Sequence, residues 1–274
     1  MHHGAFLGRG AALRGPECGA EMARHFKFNY GAIVIDSLIF ISFLFLGHSN
    51  MGGVCAAMDT VPNPHVWMLG KLGLINCTDK DFPRTTGTSG SMVMPFLKRM
   101  ALLYPGYNFI GERYAGPCNK ARDLFQEAPH REHIIKVIQD LKAKSIVGGV
   151  ILMHGFIEGL YSAEIDSYDM HVIELAAFLR DESGNKTLPV LVARYEKNGD
   201  STSCWENKEI PRLVEKIESL PKRCAFMQLY PVRYVPRQYF CDNHHYSADG
   251  YRICGEDAAA IIQLNSFDFW KGNK

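Results

Sequence analysis

The chain has 274 residues, of which 47% are hydrophobic and 22% charged, with 30 Lys and Arg against 29 Asp and Glu. A chain of this length and apolar content can bury a substantial core, which argues against disorder and for one large domain rather than two. The net charge of +1 leaves no electrostatic footprint for nucleic acid or an anionic membrane, so a small neutral substrate fits better.

Residues 1–31 are rich in Gly and Ala with scattered Arg, and no continuous apolar stretch gives a clear signal peptide. They predict a poorly ordered extension ahead of a domain over 32–274. The run from Ala32 to Leu46 is short for a bilayer span and Asp36 interrupts it, so it reads as a core strand and no stable membrane insertion is expected. Eight of the ten residues from Ser37 to Leu46 are apolar, and the run stops abruptly at Gly47. A buried strand of a parallel sheet ends in this way. Ser49 then stands at the carboxyl end of the strand, where open α/β sheets bind their ligands, and the amides of Ser49 and Asn50 can point at an oxyanion.

Residues 54–91 hold Pro62, Pro64, Pro83 and many Gly, Thr and Ser, with one short apolar piece at Val66–Leu69. They read as a long irregular segment and a candidate wall for a substrate site. A helix is predicted over Met92–Tyr104, with Phe96, Met100 and Leu103 on one stripe and Pro105-Gly106 ending it. Tyr107–Tyr114 predicts a strand leading into Ala115-Gly116-Pro117, and Arg131–Lys144 an amphipathic helix. Ser145–Met153 is a strongly apolar strand ending in His154-Gly155. Further helices are expected at Ile165–Asp181 and Lys208–Leu220, and further strands at Pro189–Tyr195 and Cys224–Tyr230. Ser247 is a plausible N-cap for a last helix whose core stripe is Tyr251, Cys254, Ala258 and Ile261. This alternation predicts an α/β protein, a three-layer α/β/α sandwich around a parallel sheet of about five strands. The eight cysteines form no CxxC pair and read mostly as core thiols that define no redox compartment.

Just before the last helix stands Asp242-Asn243-His244-His245. An Asp and a His three apart at a loop-to-helix junction can hydrogen-bond, so that the carboxylate orients the imidazole while its second nitrogen takes a proton from a serine. His244 competes with His245 as that base. With Ser49 at the other end of the chain, the order is Ser49, Asp242, His245. His130 and His133 lie three apart near a helix start, but no third metal ligand is evident beside them and a solvated helix end explains them. No P-loop or GxGxxG supports nucleotide use.

These blocks resemble those of the SGNH hydrolases, in the branch of sialate O-acetylesterases and the acetylxylan esterases of carbohydrate esterase family six. Gly47-His48-Ser49-Asn50-Met51 resembles the GQSNM block of that branch, and Asp242 to His245 its DxxH block, with HYSADGYRICGE similar to the family's HFxxxGxxxxG continuation. The middle segment GVILMHGFIEGLYS looks like WxQGExD, with Gly155 at its Gly and Glu158 at its Asp. The chain departs from the pattern at His48 and His154, which replace Gln, and at Phe156, which replaces Glu; the Asn of the broader pattern is absent from this segment. Both His residues keep an N–H to offer, whereas the Phe offers no counterpart to the Glu carboxylate.

The resemblance implies a flavodoxin-like sandwich and a serine esterase removing a small acyl group, most simply acetyl, from a carbohydrate, with a Ser49–His245–Asp242 triad and no metal or organic cofactor. It also suggests an extracellular or periplasmic location. The implied oxyanion hole combines the Ser49 amide, an amide at Ala115-Gly116 and a donor at His154, with His48, Asn50, Gly155 and Glu158 around the substrate. An ordinary Gly-Pro turn explains Gly116 equally well, and strand-end packing is the alternative for His154. The rival functions are a non-catalytic carbohydrate-binding protein on the same scaffold and a lipase or thioesterase of the same superfamily.

Overall fold

The computed structural model describes residues 29–30, 33–34, 38–53, 61–70, 73–78, 81, 90–115, 120–155, 165–195, 209–232, 245–265 and 267. Two two-residue strands, β1 (Asn29–Tyr30) and β2 (Ile33–Val34), pair antiparallel with each other and stand outside the main sheet. The apolar run that follows becomes β3 (Phe40–Gly47), buried at every position. Among the described residues seven strands form the main sheet. In chain order after β3 they are β4 (Val66–Gly70), β5 (Gly73–Asn76), β6 (Asn108–Ala115), β7 (Ile146–Met153), β8 (Val190–Tyr195) and β9 (Met227–Val232).

The sheet order is β5-β4-β6-β3-β7-β8-β9, with every pairing parallel except β4 with β5. The five strands expected from the sequence form its continuous core, β6-β3-β7-β8-β9. The chain leaves β3 to build β6 on one side and then returns to build β7 on the other, so the order reverses beside β3. At such a switch point the carboxyl ends of neighbouring strands part and leave a crevice.

The seventh and sixth strands correct the expected number of about five. Residues 54–91 are not irregular throughout: the short apolar piece at Val66–Leu69 is β4, which pairs with β6 at Val66–Phe109 and Trp67–Ile110 and turns back into β5. A two-pair junction with β6 is too short to show as a periodic run.

The helices are α1 (Ser49–Gly52), α2 (Val93–Leu103), α3 (Asp123–Gln126), α4 (Ala128–Lys142), α5 (Ile165–Ser183), α6 (Ile210–Arg223) and α7 (Ala248–Leu264). On one face of the sheet α2 packs against α7; on the other α4, α5 and α6 lie side by side. The result is the expected three-layer sandwich. Alternate residues of β3 serve the two layers: Phe43 and Phe45 both meet Phe96 of α2 edge-on, with ring centroids 4.9 and 5.3 Å away. The amphipathic stripes read from the sequence face inward, with Phe96 and Met100 of α2 and Tyr251, Cys254 and Ala258 of α7 all buried. Ser247 caps α7, its hydroxyl accepting the Gly250 amide at 3.4 Å. α6 continues a turn beyond the expected Leu220, through Pro221 to Arg223. Cys77, Cys224 and Cys254 are buried thiols. Among the described residues no helix is long and apolar enough to cross a membrane.

Candidate active site

β3 ends where two backbones come close. A Cβ on Gly47 would lie 2.4 Å from the Met153 carbonyl oxygen of β7, so only glycine permits the two strands to remain paired to their ends. Beyond it His48 leaves the strand with φ −108° and ψ −148°, and Ser49 begins the single turn of α1, closed by hydrogen bonds from Gly52 N–H to the His48 carbonyl and from Gly53 N–H to the Ser49 carbonyl. First-turn amides have no intrahelical acceptor, so the Ser49 amide is of the kind that can face an anion. Ser49 itself is half-buried, between buried His48 and Asn50.

Asn50 connects this turn to the far end of the chain. Its Oδ1 accepts the Tyr246 backbone N–H at 3.3 Å and the Tyr251 hydroxyl at 3.2 Å. Tyr246 follows His245 directly, and Tyr251 lies in the first turns of α7, so the serine turn and the His245 junction meet across 196 residues of sequence. His245 is half-buried at this junction. Tyr246 and Tyr251 are both buried and pack edge to face at 5.6 Å, so aromatic packing joins the Asn50 hydrogen bonds in holding the junction.

Of the middle segment, His154 and Gly155 stand at the end of β7. His154 is fully buried, and its ring meets that of His48 at 5.2 Å and 60°. The two imidazoles are therefore in contact. The His154 Nδ1 accepts the Gly155 amide at 3.0 Å, so the neutral ring carries its proton on Nε2. Its carbonyl accepts the hydroxyls of Tyr168 at 3.2 Å and Tyr195 at 2.9 Å, which pin the strand end to α5 and β8. Gly155 adopts φ +111°, and a Cβ there would meet the Tyr168 hydroxyl at 3.0 Å. This position needs glycine for both conformation and space.

Of the residues selected from sequence, His48, Ser49, Asn50, His154, Gly155 and His245 gather at the carboxyl edge of β3 and β7 and the start of α7. Gly116, Phe156, Glu158, Asp242 and His244 lie outside the described residues. The sequence reading missed Tyr246, Tyr168 and Tyr195, whose roles depend on long-range backbone contacts. It placed Tyr251 only in the core stripe of the last helix. Among the described residues no three His, Cys, Asp or Glu side chains converge as metal ligands.

No family model and no curated protein matches the sequence. Solved structures do match. A protein of Arabidopsis thaliana superposes with a TM-score of 0.66 at 13% identity, covering 82% of this chain and 98% of that one. A carbohydrate acetylesterase from Xanthomonas citri gives 0.55 at 15% identity, covering 81% of this chain and 55% of that one. NanS gives 0.57 at 13% identity, covering 86% and 99%. The fold is therefore the α/β/α sandwich of these structures, and at these identities the fold is what is shared.

Proposed function

We propose that the chain is a serine ester hydrolase of SGNH type that removes a small acyl group, acetyl in the simplest case, from a carbohydrate. The observation that carries this reading is the hydrogen bonding of Asn50 to Tyr246 and Tyr251, which joins the Ser49 turn to the His245 junction at the switch point of the sheet. Its chemical class is supported by the motif blocks and by the carbohydrate acetylesterase among the structural neighbours.

In this reading Ser49 Oγ attacks the ester carbonyl while His245 takes its proton. Asp242 orients His245 and stabilises the imidazolium. The tetrahedral oxyanion rests on the Ser49 amide, on an amide at Gly116 and on the Nε2–H of His154. His245 then returns the proton to the departing sugar alkoxide, and water attacks the acyl-enzyme to release the acid. His48, Asn50, Gly155 and Glu158 surround the acyl group and the sugar. No metal or organic cofactor enters these steps, and an export location remains part of the proposal.

The test is to incubate the protein with acetylated xylan and with O-acetylated sialic acid and to measure free acetate. Release by the wild-type chain and its loss in Ser49→Ala support the reading. Saccharide binding with no acetate release from either substrate would favour the carbohydrate-binding alternative.

A further inference from the structure

Outside this constellation, a chain of three polar side chains stands at the carboxyl end of β6. The Tyr114 hydroxyl is hydrogen-bonded to His130 Nδ1, and His130 Nε2 lies 3.3 Å from the carboxylate of Glu127. His130 is buried in the first turn of α4, Glu127 immediately precedes that helix and is exposed, and Tyr114 is half-buried. In the tautomer that carries its proton on Nε2, facing the Glu127 carboxylate, His130 Nδ1 accepts the Tyr114 hydroxyl proton. Committing the phenolic proton in this way concentrates negative charge on the Tyr114 oxygen, which strengthens it as an acceptor.

The position matters as much as the chemistry. Tyr114 is level with Leu46 of β3, three residues before Ser49, and Ala115 is level with Gly47. The phenol therefore stands at the same edge of the sheet as the serine turn, one strand to the side. The ring is held in place by His133, whose imidazole lies against it at 4.6 Å and 30°. Partial burial first, and then the charge of Lys136, holds His133 below the ordinary imidazole range.

We propose that Tyr114 is a substrate-contacting residue whose oxygen, polarised through His130 and Glu127, accepts a hydroxyl hydrogen of the saccharide that bears the scissile ester. This rests on the esterase reading and adds to it a determinant for the sugar rather than the acyl group. A saccharide presents hydroxyl donors, and a polarised phenol one strand from the serine turn, at the same edge of the sheet, is matched to them.

The experiment compares kcat and KM for an O-acetylated xylo-oligosaccharide and for 4-nitrophenyl acetate, which carries no sugar hydroxyls. Tyr114→Phe keeps the ring and removes the oxygen. Its loss in kcat/KM on the oligosaccharide should exceed its loss on 4-nitrophenyl acetate by about five- to tenfold, mainly through KM, as expected for one hydrogen bond. Glu127→Gln, altered only at an exposed carboxylate, should shift the same ratio in the same direction by a smaller factor. Equal losses on the two substrates in both variants would make the chain a tether between β6 and α4 and overturn the proposal, as would a wild-type protein inactive on the oligosaccharide. Failure of the underlying reading has a different signature, 4-nitrophenyl acetate turnover that survives Ser49→Ala.

Discussion

Asn50 shows how much one side chain holds at this site. Its carboxamide oxygen accepts a buried backbone N–H from Tyr246 and the buried Tyr251 hydroxyl, so truncation takes an acceptor from both donors. Asn50→Ala should lower the unfolding free energy by about 1–3 kcal/mol, read as a fall in the urea midpoint at constant slope. An unaltered midpoint would detach the serine turn from the α7 junction. His154 poses a sharper question, because a buried imidazole with its proton on Nε2 can act as donor or as packing. As donor, His154→Phe should reduce kcat by about two to three orders of magnitude while His154→Gln recovers much of it. Normal kcat in His154→Phe would leave the oxyanion to backbone amides. Ser49, His154 and His245 were legible in sequence because each stands beside a strand end or a helix start. Tyr168 and Tyr195 were not, since their hydroxyls reach the same carbonyl from a helix and a strand that only the tertiary structure brings together.

At the scale of elements, the sheet edge at β4 is the part the sequence concealed. β4 pairs with β6 over only two residues, after which the Glu112 carboxylate accepts the Leu69 amide in place of a backbone partner. Burial pushes the Glu112 carboxyl up to about 7; the Leu69 N–H opposes this, Asp140 adds to it and Arg113 opposes it. A carboxyl whose folded pKa lies above its unfolded value binds its proton more tightly in the folded state. Stability from this group is therefore greatest below about 4.5, falls as pH rises towards 7, and is level above that, a loss of at most about 3 kcal/mol. Glu112→Gln keeps an acceptor for Leu69 without the ionisation. Its gain in melting temperature over the wild type should be larger at pH 8 than at pH 5. A gain independent of pH would show that Glu112 does not titrate across this window. By contrast, β3 and β7 were legible from apolar runs that stop abruptly, at Gly47 and at His154-Gly155, and α2 and α7 from stripes at helical spacing.

At the scale of the molecule, the alternation of strands and helices defined the sandwich, and the position of Ser49 after the central strand located the crevice. Strand order was not contained in periodicity. It is set by which side of β3 each crossover returns to, giving the core order β6-β3-β7-β8-β9. Chemistry is a separate matter from fold, since one scaffold carries many activities and function lies in the site. Esterase chemistry here requires Ser49 to be a nucleophile, and this is tested most directly by covalent labelling. Treated with a fluorophosphonate and digested, the protein should carry the phosphonyl adduct on the peptide containing Ser49, with loss of ester turnover in proportion to labelling. An unlabelled Ser49 in protein that still hydrolyses 4-nitrophenyl acetate would contradict it.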